Sequence, residues 1–435
     1  MKHAPRAAFA IAMICGALAP AVAGARSPAA PSYEPHVVVA TLDTGTNPFH
    51  PTWRRPERRH PSAYIPGYPA AAQPARLSFR DDFADSVEAS NAALQVIWNR
   101  RQNVWIPGTN IIGTWAHPTD HLPVFDARDT DKPSHSHGAS ASSQIAGRGL
   151  GLAPDAYLVV VDRTADGGTD VYKSNAEALR WAADQAWIDV IHTNIQNPLP
   201  LANSSSPAGL AGYADAVSYA LSKGKVVVSA GGNFYAETTE TSPHAGPPGV
   251  LVAGANDNCG WTSFSNPDPH VVMDGMGTES ASPVGYGTVR FGGTSSASPR
   301  ISGYVADLIL RLRRHFGYRG GIADGALLRL PAGRRPAQGP LADGALTAAE
   351  LHEVVRKTAN PRSHASRWDG TAGLDCVPEP PAGPAFYPKV GYGEVSEHTI
   401  DGAFAVAVGK STMPARPDED RFYEASERLR TLFWG

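Results

Sequence analysis

The stretch HVVVATLDTG, residues 36–45, indicates a buried parallel strand that ends in a turn. Its apolar and β-branched residues continue without polar alternation almost to Asp43, and Gly45 then lets the chain turn. Further runs of the same kind, which together predict the core of a parallel sheet, are found at 156–162, 188–195, 225–232 and 249–255.

Stretches with helical periodicity alternate with these runs or follow them, at 170–187, 207–224, 298–317 and 346–360. Strands and helices in alternation predict an α/β fold, with a mostly parallel sheet and helices on both faces. Thr347 and Glu350 have the spacing of a capping box at the start of the last of these helices.

The overall composition is that of a globular protein and argues against several classes of function. Of the 435 residues 42% are hydrophobic, and the formal net charge is -3. Because nucleic-acid binders carry a strong basic excess, we expect no nucleic-acid partner. No apolar stretch reaches the ~20 residues that a membrane-spanning helix needs, so we expect no membrane span.

The N-terminus has the pattern of a secretory signal peptide, residues 1–25: a basic start, a short apolar core and small residues at the cleavage site. We therefore expect a secreted or periplasmic protein. Residues 26–35 form a short segment in which no prodomain is recognisable. Cys259 and Cys376 remain after cleavage, and the sequence leaves open whether they pair in an oxidising compartment.

The predicted domain covers residues 36–400 and contains two stretches that look inserted. Residues 50–130 are rich in Pro, Trp, Arg and His, and residues 318–345 are rich in Gly, Pro and Arg. Residues 401–435 form a C-terminal tail, and its stretch 418–435 has the apolar spacing of an amphipathic helix.

Four polar residues or motifs stand where strands end or helices begin. Asp43 and Asn233 each follow a strand, His137 opens a helix of small residues, and FGGTSSASPRISG, residues 291–303, opens a long helix. Each alone has a structural explanation, such as a turn or a cap. Together they would meet at the C-terminal edge of the sheet, where open α/β folds place their sites. A serine nucleophile needs a base, and the base needs an orienting group, so the set indicates acyl transfer.

The motifs VVVATLDTGTNPFHP, HGASASSQIAG, VVVSAGGN and GGTSSASPRISG resemble those of subtilisin-family (subtilase, peptidase S8) serine proteases. The resemblance extends over about residues 36–400 and implies a subtilisin-like three-layer fold. In the family's Gly-Thr-Ser-x-Ala-Ser-Pro motif the first serine is the nucleophile, which assigns that role to Ser295 rather than to Ser296 or Ser298.

The resemblance also implies a role for each remaining site residue. The expected site consists of the catalytic residues Asp43, His137 and Ser295, the oxyanion donor Asn233, and the substrate-binding residues Asn194 and Gly231. The family's Ser-Leu-Gly-Gly strand falls at residues 194–197, Asn-Ile-Gln-Asn. Because glycine lets a peptide backbone approach closely, we expect a reshaped substrate cleft.

The sequence indicates no required cofactor and no metal site. It contains no His-Glu-x-x-His and no paired Cys-x-x-Cys. Asp126, Asp129 and Asp131 lack the spacing and the glycine of an EF-hand. Structural calcium is frequent in the family, so the resemblance leaves calcium open without naming ligands.

The resulting hypothesis is an exported, monomeric serine endopeptidase that acts on a protein or peptide substrate. The alternative is a catalytically degenerate subtilase fold that binds peptides or a partner, which the altered 194–197 strand favours. A secreted esterase would use the same three residues, but it would not cleave peptide bonds.

Overall fold

The computed structural model describes residues 34–99, 102–118, 136–163, 171–194, 207–233, 249–257, 260–262, 264–266, 269–318, 320–322, 325–360, 366–367, 377–378 and 391–415. The strands are β1 Val38–Asp43, β2 Gln73–Pro74, β3 Val104–Trp105, β4 Ile111–Ala116, β5 Tyr157–Asp162, β6 Val190–Thr193, β7 Val226–Ala230, β8 Val250–Asp257, β9 Gly260–Trp261, β10 Val271–Asp274, β11 Thr278–Ala281, β12 Thr288–Phe291, β13 Ala326–Arg329, β14 Ala345–Thr347, β15 Ser366–Arg367 and β16 Val377–Pro378. The helices are α1 Phe83–Ala89, α2 Asn91–Asn99, α3 Ser136–Ala146, α4 Val171–Asp184, α5 Pro207–Ser222, α6 Thr294–Phe316, α7 Ala348–Thr358 and α8 Ile400–Ala407.

A parallel sheet forms the centre of the fold, in the order β4-β5-β1-β6-β7-β8-β10. Strand β1 lies in the middle, with β5 on one side and β6 on the other. The register pairs Val38 with Tyr157 and Asp43 with Asp162, so both strands end at the same edge. The predicted α/β fold with a mostly parallel sheet is confirmed.

Alternate residues of β1 face two separate hydrophobic cores. Val39 belongs to the core that contains residues of α3 and α6, whereas Val38 and Leu42 belong to the core that contains residues of α4 and α5. Because successive side chains of a strand point to opposite faces, a sheet buried on both faces needs apolar residues at every position. This explains the continuous apolar run and confirms the three-layer arrangement.

The predicted runs form β1, β5, β6, β7 and β8, but β4 and β10 were not predicted from the sequence. Strand β4 lies inside the stretch 50–130 that looked inserted, and it is an edge strand of the central sheet. Gly113 interrupts its apolar pattern at a point where an added Cβ would lie 3.2 Å from the Trp187 ring. Strand β10 is four residues long and lies outside the apolar runs that predicted the other strands.

Helix α6 begins after Gly293 and ends at Gly317, which adopts the left-handed conformation (φ 67°) common at helix C-termini. Pro299 lies inside this helix. Because proline has no N–H, the Ser295 carbonyl lacks the donor that a residue four positions later normally supplies. Helix α7 has the predicted capping box, in which the Thr347 hydroxyl accepts from the Glu350 N–H and the Glu350 carboxylate accepts from the Thr347 N–H.

Several predictions concern residues outside the described ranges: the signal peptide, Cys259 and Cys376, the acidic residues between 126 and 131, and the amphipathic helix at 418–435. Among the residues that the structure describes, none of the helices combines the length and the apolar character that crossing a membrane requires.

Candidate active site

Asp43 and His137 form a direct contact at the C-terminal edge of the sheet. Asp43 is the last residue of β1 and is 1% exposed, and His137 is the second residue of α3. The His137 Nδ1 atom lies 2.9 Å from each carboxylate oxygen of Asp43. A carboxylate only accepts hydrogen bonds, so Nδ1 carries the proton and Nε2 is the nitrogen left to act as a base.

The start of α3 is held against the turn that follows β1. Thr44 N–H donates to Asp43 Oδ1 (2.9 Å), and the Thr44 hydroxyl accepts from Gly138 N–H (3.1 Å). A Cβ on Gly138 would overlap the Gly45 carbonyl oxygen and lie 3.0 Å from the Gly45 nitrogen. Only glycine therefore allows this approach, which sets the position of His137 beside Asp43.

The electrostatics of the site favour an ionised Asp43. Burial by itself raises the pKa of the Asp43 carboxyl, but its neighbours more than reverse that effect. The electrostatic interaction and hydrogen bond with His137, the charge of Arg163 and a hydrogen bond from Asn194 together hold the pKa of Asp43 well below its usual range. The carboxylate is thus ready to stabilise a protonated imidazole.

Four hydroxyl side chains crowd the first turns of α6, and their contacts separate their roles. The Thr294 hydroxyl donates to Asn233 Oδ1 (2.9 Å). The Ser296 hydroxyl donates to Gln144 Oε1 (3.0 Å), and the Ser298 hydroxyl donates to Asn194 Oδ1 (2.6 Å). These three residues are fully buried, whereas Ser295 is 5% exposed.

Asn233 is anchored at the N-terminus of α6 by one end of its amide. Its Oδ1 accepts from the backbone N–H of Thr294 (2.8 Å) as well as from the Thr294 hydroxyl. Since Oδ1 is bound in this way, the opposite end of the amide, Nδ2, is the part that can donate to a ligand. A Cβ on Gly293 would lie 2.8 Å from Nδ2, so glycine is needed here for space as well as for its positive φ of 83°.

Asn194 connects Asp43 with the backbone of Ser295. Its Nδ2 donates to Asp43 Oδ2 (3.0 Å) and to the Ser295 carbonyl (3.3 Å). The side chain is 3% exposed and points into the protein, so the predicted contact of Asn194 with substrate falls to its backbone and stays a prediction. Gly231, the other predicted substrate-binding residue, donates its N–H to the Ala253 carbonyl (2.8 Å).

The structure therefore brings five of the six predicted site residues together: Asp43 contacts His137 and Asn194, Asn194 contacts Ser295, and Asn233 holds the adjoining Thr294. Four further residues have polar or electrostatic contacts at the site and were not predicted from the sequence: Thr44, Arg163, Ser298 and His192. Thr44 lies in the Asp-Thr-Gly motif and Ser298 in the serine motif, so position could have suggested both. Arg163 and His192 offered no such signal.

The ring of Phe291 packs edge-on against His137, with ring centroids 4.8 Å apart. Phe291 is the last residue of β12, three residues before α6 begins at Thr294. Its ring limits the movement of the imidazole. Within the described residues no group of three or more His, Cys, Asp or Glu side chains has the arrangement of a metal site.

The fold and the arrangement of these residues are those of an α/β protein with the groups that a serine hydrolase uses. Residues 34–314 match the model of the Subtilase family, and the chain belongs to that family.

Curated relatives agree with this assignment. A subtilisin-like protease of Coccidioides posadasii is 27% identical over 191 residues, which cover 42% of this chain and 46% of that protein. Subtilisin-like protease 4 of Trichophyton equinum is 30% identical over 176 residues, which cover 40% of this chain and 44% of that protein. The matched part thus spans less than half the length of these relatives. The family and these relatives support a serine protease.

Among solved structures, a mutant of the protease domain of PatA superposes with a TM-score of 0.51 at 18% sequence identity. The match covers 87% of this chain and 98% of that one. At this identity the likeness concerns the fold alone.

Proposed function

We propose that this chain is a serine endopeptidase that hydrolyses peptide bonds through an acyl-enzyme on Ser295. The observation that carries the proposal is the pair of 2.9 Å contacts between His137 Nδ1 and the ionised Asp43 carboxylate, beside the first turn of α6. That contact leaves the other imidazole nitrogen, Nε2, as the base for a serine hydroxyl.

In the proposed reaction Ser295 Oγ attacks the carbonyl carbon of the scissile bond while His137 Nε2 takes its proton. The carbonyl oxygen becomes an oxyanion, to which Asn233 Nδ2 and the Ser295 N–H donate. The C–N bond then breaks and His137 returns the proton to the leaving amine. Water, deprotonated by His137, attacks the acyl ester, and the carboxylic acid leaves as Ser295 regains its proton.

Ser295 is favoured over its neighbours as the nucleophile by two supports. The motif assigns the role to the first serine, and the Ser296 hydroxyl is already bound to Gln144 in a fully buried position. The N-terminus of α6 adds a favourable field, because unpaired N–H groups at a helix start stabilise negative charge.

Labelling with a fluorophosphonate probe, read by intact mass, tests the proposal. We expect one adduct on the wild type and on Ser296→Ala, and none on Ser295→Ala. An adduct that survives in Ser295→Ala would refute the assignment. An unlabelled, well-folded wild type would instead favour the peptide-binding alternative. Cleavage of a nitrophenyl ester without cleavage of casein would favour the esterase.

Two further parts of the proposal concern location and cofactors. We propose export, on the strength of the signal-peptide pattern in residues 1–25, and activity without an added cofactor. N-terminal sequencing of protein recovered outside the cytoplasm should begin after Ala23 or Ala25. Retention of residues 1–25 on exported protein would contradict this part.

A further inference from the structure

A buried chain of three polar side chains lies beneath the candidate active site. His192 belongs to β6, Asn194 follows that strand directly, and Ser298 lies in the second turn of α6. The exposed fractions are 0% for His192, 3% for Asn194 and 0% for Ser298. Residues two apart on a strand point to the same side, so His192 and Asn194 both face α6.

The groups around Asn194 determine which atoms donate and which accept in the hydrogen bonds of His192, Ser298 and Asn194. Asn194 Nδ2 faces the Asp43 carboxylate and the Ser295 carbonyl, and both of these groups can only accept. The amide oxygen of Asn194 must therefore point to Ser298, whose hydroxyl donates to it (2.6 Å). The Ser298 oxygen then accepts from His192 Nε2, which lies 3.1 Å away.

This direction requires a proton on His192 Nε2. Burial lowers the pKa of His192 to about 4, so the ring is neutral near pH 7. The other ring nitrogen, Nδ1, is buried and has no hydrogen-bond partner among the described residues. An unprotonated nitrogen is the less costly atom to leave in that position, since an N–H there would be an unsatisfied donor.

Pro299 explains why Asn194 contacts the backbone of Ser295 as well as the Asp43 carboxylate. The proline removes the helical donor that would serve the Ser295 carbonyl, and Asn194 Nδ2 donates to that carbonyl instead. One amide group thus holds Asp43 and the backbone of Ser295 at a fixed separation. In the subtilase motif a serine stands at position 194, and its single hydroxyl proton could serve only one of these two acceptors.

We propose that the chain His192–Ser298–Asn194 positions the Asp43 carboxylate and the Ser295 backbone for the reaction, with Asn194 as the positioning residue in contact with both. The inference rests on the proposed function and adds a positioning role for these three side chains. The three side chains contribute no atom to the substrate, so they act on turnover rather than on substrate binding.

A double-mutant cycle tests the proposal, with the rate of fluorophosphonate labelling, kcat and KM as measurements. We expect Asn194→Ala to lower the labelling rate and kcat by about 30-fold and Ser298→Ala by about 10-fold, because each disrupts a hydrogen bond linked to a charged group. Both leave KM within about twofold. Asn194→Ser keeps one donor and should recover part of the rate, which also covers the case that Asn194→Ala does not fold.

The double variant gives the decisive result. If both residues act through one series of hydrogen bonds, the double variant is no slower than Asn194→Ala. If their roles are independent, the two losses of rate multiply to about 300-fold, and that outcome would overturn the proposal. Ser302→Ala is the matched control, since the Ser302 hydroxyl is also buried on α6 but donates only to the Ser298 carbonyl (2.9 Å). We expect it to keep the wild-type rate within about twofold.

A second measurement does not depend on activity. In Ser295→Ala, ¹⁵N NMR of labelled histidines should show His192 as the neutral Nε2–H tautomer at pH 7, and Ser298→Ala should shift that signal. Finding His192 as the Nδ1–H tautomer would refute the proposed hydrogen bond from its Nε2 to Ser298. An unlabelled wild type with the expected tautomer would count against the proposed function and leave the geometry of the chain standing.

Discussion

Replacing Arg313 by leucine should destabilise the protein far more than replacing Arg311, two residues earlier on the same helix. All five N–H groups of Arg313 are bound in the interior. Nη1 donates to Asp189 (2.9 Å) and to the His36 carbonyl (2.7 Å), and Nη2 donates to Asp189 (2.7 Å). Nη2 and Nε also donate to the Leu327 carbonyl (2.8 and 3.2 Å).

The magnitude follows from what the substitution leaves behind. Both side chains of the pair are 0% exposed, and without Arg313 the Asp189 carboxylate keeps the Val38 N–H (2.9 Å) as its remaining hydrogen-bond donor in the described structure. Removing one partner of a buried ion pair costs about 3–5 kcal/mol. Arg311 pairs with Asp307 and Asp401 but is 42% exposed, so we expect Arg311→Leu to cost less than about 1 kcal/mol.

Urea unfolding followed by tryptophan fluorescence measures both costs, in a Ser295→Ala background that lacks the proposed nucleophile and therefore the proposed peptidase activity. Adding Asp189→Asn to Arg313→Leu should recover part of the loss, because the buried charge that has lost its arginine partner disappears while the acceptor for Val38 remains. Equal costs for Arg313→Leu and Arg311→Leu would refute the reasoning. If the variant with both Arg313→Leu and Asp189→Asn is no more stable than Arg313→Leu alone, the charge of Asp189 is not the cause of the destabilisation.

Two further predictions concern the site and the response to acid. Gly138→Ala should lower fluorophosphonate labelling by about 100-fold, because a Cβ there overlaps the Gly45 carbonyl and shifts His137, whereas Gly212→Ala, with open space around it, should label normally. Burial lowers the pKa of His352 to about 3. Between pH 6.5 and 5 this histidine is therefore protonated in the unfolded chain but not in the folded one, and the free energy of unfolding decreases as the pH is lowered through that window. In urea unfolding at pH 7 and pH 5, His352→Gln should lose about 2 kcal/mol less than the wild type; equal losses would contradict the role of His352.

The central strands could be predicted because burial on both faces leaves a continuous apolar pattern that a reader of the sequence can recognise. Strand β4 could not be predicted, because Gly113 interrupts the apolar pattern. A larger residue at this position would crowd the Trp187 ring, and that contact exists only in the folded protein. The capping box at Thr347 was predictable because it depends on residues three apart.

The sequence suggested residues for the candidate site but not the contacts between them. Motifs placed Asp43, His137 and Ser295 at element ends, and the sheet brings those ends together. The direction of the Asn194 side chain could not be predicted, because it depends on Asp43, 151 positions away in sequence, and on Ser298, 104 positions away. Local pattern carries no information about partners at such separations.

Helix α6 has one further consequence. Its first turn contains Ser295, and its last turns contain Arg313, whose five hydrogen bonds tie the helix to the ends of other elements. Ser295, the proposed nucleophile, is therefore not borne by a surface loop that can melt locally, since its helix is released only when the interior opens. If the proposed function holds, the fraction of molecules that accepts a covalent probe counts the folded molecules, and loss of that fraction in denaturant reports the unfolding of the domain.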